Sequence, residues 1–144
     1  MTLNIDSTGN SNDTVVIGAG GSLMGIQGTV NIANHSGQTS VIINDTLDGA
    51  RIITVTDHSV DYAGLATINY DAGYLDMAGN KHGVTSLTVE EGAGSPIDVE
   101  SVGALTNTSV YWEVGLEGFG RWFPGLLYGP AANKVHVIGG PVFV

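Results

Sequence analysis

Short runs of alternating apolar and polar residues recur along the chain as two interleaved series, and their spacing limits the fold more than any other feature. One series has Val15, Val41, Thr67, Leu87, Tyr111 and Val135 as markers. Its steps are roughly 20 to 26 residues, the range of solenoid and array repeats. The other series is Val30-Asn31-Ile32, Ile53-Thr54-Val55, Leu75-Asp76-Met77 and Ile97-Asp98-Val99. Each member reads apolar, polar, apolar, the period of a strand with one buried face. The fullest unit lies between Thr39 and Asp57. Val41-Ile42-Ile43 closes at Asn44-Asp45, Asp48-Gly49 supplies a turn, and Arg51 to Thr56 is β-branched at nearly every position.

Two short strands per repeat predict a parallel β-solenoid, in which stacked coils join their inward side chains into one apolar column. The expected core is Val15, Ile17, Val30, Ile32, Val41, Ile43, Ile53, Val55, Ile68, Leu75, Met77, Leu87, Val89, Ile97 and Val99. Roughly five to six coils at ~4.8 Å per strand would stand about 29 Å tall. A β-sandwich is the main rival, but it spaces its turns at ~8–12 residues and predicts no second series in register. The 144 residues fit one domain, with repeat-like coils over 1–100 and a divergent segment over 101–144. That segment gathers aromatics, Gly and Pro between Glu117 and Pro130 without period. It reads as an atypical C-terminal cap, or as an aromatic platform for a sugar ring or partner.

Composition narrows the function classes. With 22 Gly and 12% charged residues, long helices are not expected. Fourteen acidic residues face four basic ones, a formal charge of −10, which repels nucleic-acid phosphates and anionic lipid. No cysteine is present, so disulfides and thiolate metal sites are excluded. No 18-residue apolar run suggests a membrane helix. Met1 to Asp6 lack a basic n-region and an apolar h-region, so export implies a leader already removed or a longer parent chain.

The run Asn12-Asp13-Thr14-Val15 … Gly18 … Gly21-Ser22-Leu23 … Ile26-Gln27-Gly28-Thr29-Val30-Asn31 resembles repeats of large bacterial cell-surface proteins. Val41 to Asp45, Gly64 to Tyr70 and Val84 to Val89 do so as well. The family is the autotransporter-like or hemagglutinin-like adhesins, and the likeness covers about residues 9 to 100. It implies an all-β, right-handed parallel β-helix and a non-catalytic structural or adhesive role at the cell surface or in the extracellular matrix. The expected partners are further copies of the chain, neighbouring coils of a longer rod, or a glycan or host surface, without nucleic acid or membrane insertion.

Candidate chemistry is sparse. Gly9-Asn10-Ser11-Asn12-Asp13-Thr14-Val15 resembles one calcium-binding nonapeptide of the RTX type, with Ser11 where a second Gly belongs and no tandem copy. Asp57-His58-Ser59-Val60-Asp61 and His35-Ser36 place acid, His and Ser together, but no Gly-x-Ser-x-Gly elbow exists. The histidines at 35, 58, 82 and 136 lack metal-ligand spacing. A polysaccharide lyase or hydrolase would draw on Arg51, Lys81, Arg121, Lys134, the Asp57/Asp61 pair or Glu90-Glu91, and the two glutamates face opposite ways on a strand. No catalytic, cofactor or metal residue is therefore assigned. A Thr-x-Thr ladder for ice is excluded, because Asn31, Asp76 and Asp98 stand in the register of Thr54-Val55-Thr56. Trp112, Trp122, Phe123 and Tyr128 are the candidates for a carbohydrate-binding module. Thr2 to Ile5 and Pro141 to Val144 read as edge strands, blunted only by Pro141. They are expected to meet head to tail and build a filament.

Overall fold

The computed structural model describes residues 1–92, 95, 97–116, 119–128 and 135–137, with side chains described as far as residue 111. The regular elements among them are strands. The first four are β1 (Thr2–Ser7), β2 (Asn12–Ile17), β3 (Gly28–Asn34) and β4 (Gln38–Asp45). Then come β5 (Ile53–Val55), β6 (Ser59–Tyr62), β7 (Ala66–Tyr70), β8 (Tyr74–Leu75) and β9 (Lys81–Glu91). The chain continues through β10 (Ile97–Val99), β11 (Asn107–Leu116), β12 (Phe119–Tyr128) and β13 (Val135–Val137).

These strands form two sheets of mixed direction. The seven-stranded sheet runs β1-β3-β7-β6-β5-β10-β13, and the six-stranded one runs β12-β11-β9-β4-β2 with β8 attached to β9. The right-handed parallel β-helix of five to six coils is therefore not the architecture formed. In the first sheet only β1, β3 and β7 stack in parallel before β6 reverses the ladder against both β7 and β5. The expected C-terminal cap is corrected too. Within 101–144, β11 extends the second sheet in parallel with β9, β12 returns as an antiparallel hairpin, and β13 pairs antiparallel with β10.

The reason lies in what alternation encodes. A period of two determines which side chains point inward, but it does not name the neighbouring strand. Thr67, a marker in line with Val15 and Val41, lies beside Thr29 in the other sheet. The spacing predicts Val30 and Leu75 as the neighbours of Ile53, but Ile53 has Ile97 on one side and Tyr62 on the other. A tight turn makes this reversal: the Thr56 amide donates to Ser59 O at 2.8 Å, and the Ser59 amide donates to Thr56 Oγ1 at 3.0 Å. Local turn chemistry thus competes with stacking and wins between residues 53 and 70.

The core follows the alternation closely. Twelve of the fifteen expected residues are buried, from Ile17 through Val99, and Val15 packs against them half-buried. Leu75 and Met77 are exposed instead. Asp76 between them knots a hairpin turn, accepting hydrogen bonds from the Ala78 and Asn80 amides and from the Asn80 and His82 side chains. The Asn80 side chain foremost, with His82, holds the Asp76 carboxyl far below its usual range. Leu23, Val60, Tyr62, Tyr70, Val84 and Val110 complete the core. On the outward face Asn69 Nδ2 donates to Asn31 Oδ1 at 2.9 Å, and Asn31 Nδ2 donates to Asn4 Oδ1 at 2.7 Å. A column of threonines, Thr2, Thr29 and Thr67, runs beside that amide ladder.

Ile53 has no exposed surface, so Ile53→Asp should cost several kcal/mol through an unpaired charge in an apolar site. Thr54 has Asp61 and Asp98 as its register neighbours, so Thr54→Lys should leave stability within about 0.5 kcal/mol or raise it. Urea melts of the two variants read both outcomes.

Candidate functional site

Chain order places β1 and β2 at one end of the structure, because β1 lies only on β3 and β2 only on β4. Each is an edge strand, and its outer backbone groups have no strand partner among the described residues. Natural edges are usually blunted by Lys, Pro or a bulge. Neither strand contains Lys or Pro, and both pair without a break in register. Leu3 is 49% exposed and Val16 50%. With Met1, Ile5 and Ile26 they line an apolar groove of about 180 Å³.

Glycines shape this end. At Gly28, with φ 122°, a Cβ would stand 2.1 Å from Met1 O, so a side chain there would part β1 from the start of β3. At Gly18, with φ 77°, a Cβ would meet Asn44 O at 2.1 Å. The loop they bound turns inward to bury Leu23 completely. Its amide donates to Asp45 Oδ1 at 3.1 Å and to Asp48 Oδ2 at 2.9 Å.

Asp45 belongs to a buried acidic corner. It pairs in register with Glu91 on β9, and both are buried. Tyr62 donates its hydroxyl to Glu91 Oε1 at 2.5 Å, while Glu91 Oε2 has no hydrogen-bond partner among the described residues. Burial, then the hydrogen bond to Asp48, raises the Asp45 carboxyl to about 7. Burial raises Glu91 to about 8 against the opposing Tyr62 hydrogen bond, with Asp45 and Asp48 adding repulsion. Asp48, receiving the Asp45 hydrogen bond, is lowered. Ionising the corner is therefore costly.

The sequence candidates are dispersed. Asp13 accepts hydrogen bonds from Ser7, from Ser11 at 2.9 Å and from Asn34 at 3.4 Å. The nonapeptide-like run is thus a hydrogen-bonded corner, and no group of three or more acidic or His side chains among the described residues is arranged for a metal. His58 Nδ1 lies 2.6 Å from Asp57, exposed, while Asp61 accepts from Thr67. His35 stands between Asp6 and Asp71 at 3.6 and 3.7 Å. Arg51 donates to Met24 Sδ at 3.0 Å. Glu90 is half-buried and points away from Glu91. Trp112 lies opposite Phe123 in the β11–β12 register. The side chains of Trp112, Arg121, Trp122, Phe123, Tyr128 and His136 lie outside the described residues, as do Lys134 and Pro141 to Val144. The acidic corner escaped the sequence reading, although Asp45 and Glu91 each end an alternating strand on its inward phase. No family model, curated protein or solved structure matches the chain.

The corner gives stability an unusual pH dependence. Because Asp45 and Glu91 hold protons in the folded state that the unfolded chain releases, their contribution is full below pH ~4 and is lost as pH rises through about 7 and 8. Asp13, Asp57 and Asp76 are lowered, so theirs is lost as pH falls below the ordinary carboxylate range. The melting temperature should peak near pH ~5 and fall by several degrees toward pH ~9. Asp45→Asn with Glu91→Gln should flatten the alkaline limb in calorimetry across that range.

Proposed function

We propose that this chain is a non-catalytic structural protein of the cell surface or extracellular matrix, associating with further copies of itself through its open end. The observation that carries this reading is the pairing of two unblunted parallel edges, β1 and β2, around one apolar groove. The occupant is a second copy. Both sheets also have a far edge, β13 in the first and β12 in the second, so a copy stacked head to tail offers one strand to each free edge. Main-chain hydrogen bonds would supply affinity, and the half-exposed Leu3 and Val16 would supply apolar burial. The Asn4 amide nitrogen, which donates to nothing among the described residues, is placed to continue the amide ladder. Such a contact is heterologous and builds a filament unless its rotation closes a ring. The repeat resemblance and the small share of charged residues, 12%, support an extracellular site of action.

Light scattering and electron microscopy of the purified chain should find concentration-dependent, elongated assemblies. Leu3→Lys with Val16→Lys should shift them to monomer while leaving the melting temperature within a few degrees, because both positions are partly in solvent. A parent chain that stays a monodisperse monomer at high concentration would overturn the proposal.

A further inference from the structure

Away from the open end, a polar cleft of about 410 Å³ lies between the corner after β1 and the hairpin that leads into β9. One wall carries the amide side chains of Asn10, Asn12 and Gln38, and the other Asn80, Lys81 and His82. Asn12 and Gln38 are register neighbours on β2 and β4, so their side chains emerge side by side. Gly37 lets the two strand starts of the first wall approach, since a Cβ there would stand 2.2 Å from Ser11 O. The second wall is held in place by the four hydrogen bonds that converge on Asp76. Tyr74 braces it, its ring 5.5 Å from that of His82.

Asn80 and His82 are engaged with Asp76, but the other amides of the cleft and Lys81 are uncommitted. The side chains of Asn10, Asn12 and Gln38 make no hydrogen bond among the described residues, and Lys81 makes no ion pair there. That last fact is notable in a chain with fourteen acidic residues and four basic ones. Planar amides donate and accept at once, which matches the paired donor and acceptor character of vicinal sugar hydroxyls. An ammonium among them adds a site for a carboxylate. The volume falls within the ~300–1,000 Å³ range of small-molecule sites. We propose that this cleft binds a saccharide unit, the amides taking its hydroxyls and Lys81 favouring a uronic acid over a neutral sugar. This site is separate from the open end and does not depend on self-association.

Trigalacturonate and the neutral maltotriose serve as probes in heteronuclear NMR titrations of the full chain. Saturable amide shifts confined to 10–12, 36–38 and 80–82 are expected, with tighter binding of the uronate. Asn12→Ala with Gln38→Ala should weaken binding roughly tenfold or more, at an unchanged melting temperature. Lys81→Met should erase the preference between the two probes. Equal affinity of the parent chain for both would overturn the role given to Lys81. Absence of saturable shifts with either probe, or shifts confined to the β11–β12 hairpin, would overturn the site itself.

Discussion

A chain that leaves one sheet for another must turn a corner where its backbone donors lose their ladder partners, and buried orphans of that kind are costly. In this protein polar side chains placed at the corners supply the missing acceptors. Asn34, fully buried, accepts from the amides of Ser36 and Gly37 at 3.2 and 2.7 Å and donates to Thr39 and Asp13. Asp45 holds the Leu23 amide at the next corner. Thr106 accepts from Gly73 and donates to Val84 O at a third. The apolar core depends on these anchors, because they let short strands stack without leaving the connecting backbone unpaired inside.

The same economy explains which parts of the fold could be read in the residues. Inward positions such as Ile43, Ile53, Leu87 and Val99 were legible because alternation is a local property of each strand. Pairing was not, since the reversal at β6 depends on a turn of two hydroxyl residues, Thr56 and Ser59, that looks like any other polar link. Leu75 and Met77 carried the inward pattern and are exposed, because Asp76 found four donors within its own hairpin. Leu23 went the opposite way: it belongs to no periodic run, and Asp45 and Asp48 draw it inside.

Candidate functional residues were harder to read for a related reason. Asp13 and Asp57 stood out by motif, and both prove to be engaged in local hydrogen bonds. The groups that remain uncommitted come from three separate stretches that no single motif joins: Asn10 and Asn12 in the same nonapeptide-like run as Asp13, then Gln38, then Lys81. Only stacking brings them together. The open end is intermediate: Thr2 to Ile5 reads as a strand from its alternation, but its position at an edge beside β2 is a property of topology.

The β5–β6–β7 meander sets a kinetic asymmetry in the molecule. Its three strands are sequence neighbours joined by the tight turns at Thr56–Ser59 and Tyr62–Leu65, so each closes a loop of only a few residues. The parallel rungs close far longer ones, as in Thr2 against Thr29 or Ser40 against Ser86. Loop-closure entropy grows with length, and non-local pairing is correspondingly slow. The segment that breaks the repeat is therefore the cheapest three-stranded platform for the chain to assemble. Once it stands, the free edge of β7 offers β3 a template, and β3 in turn offers one to β1.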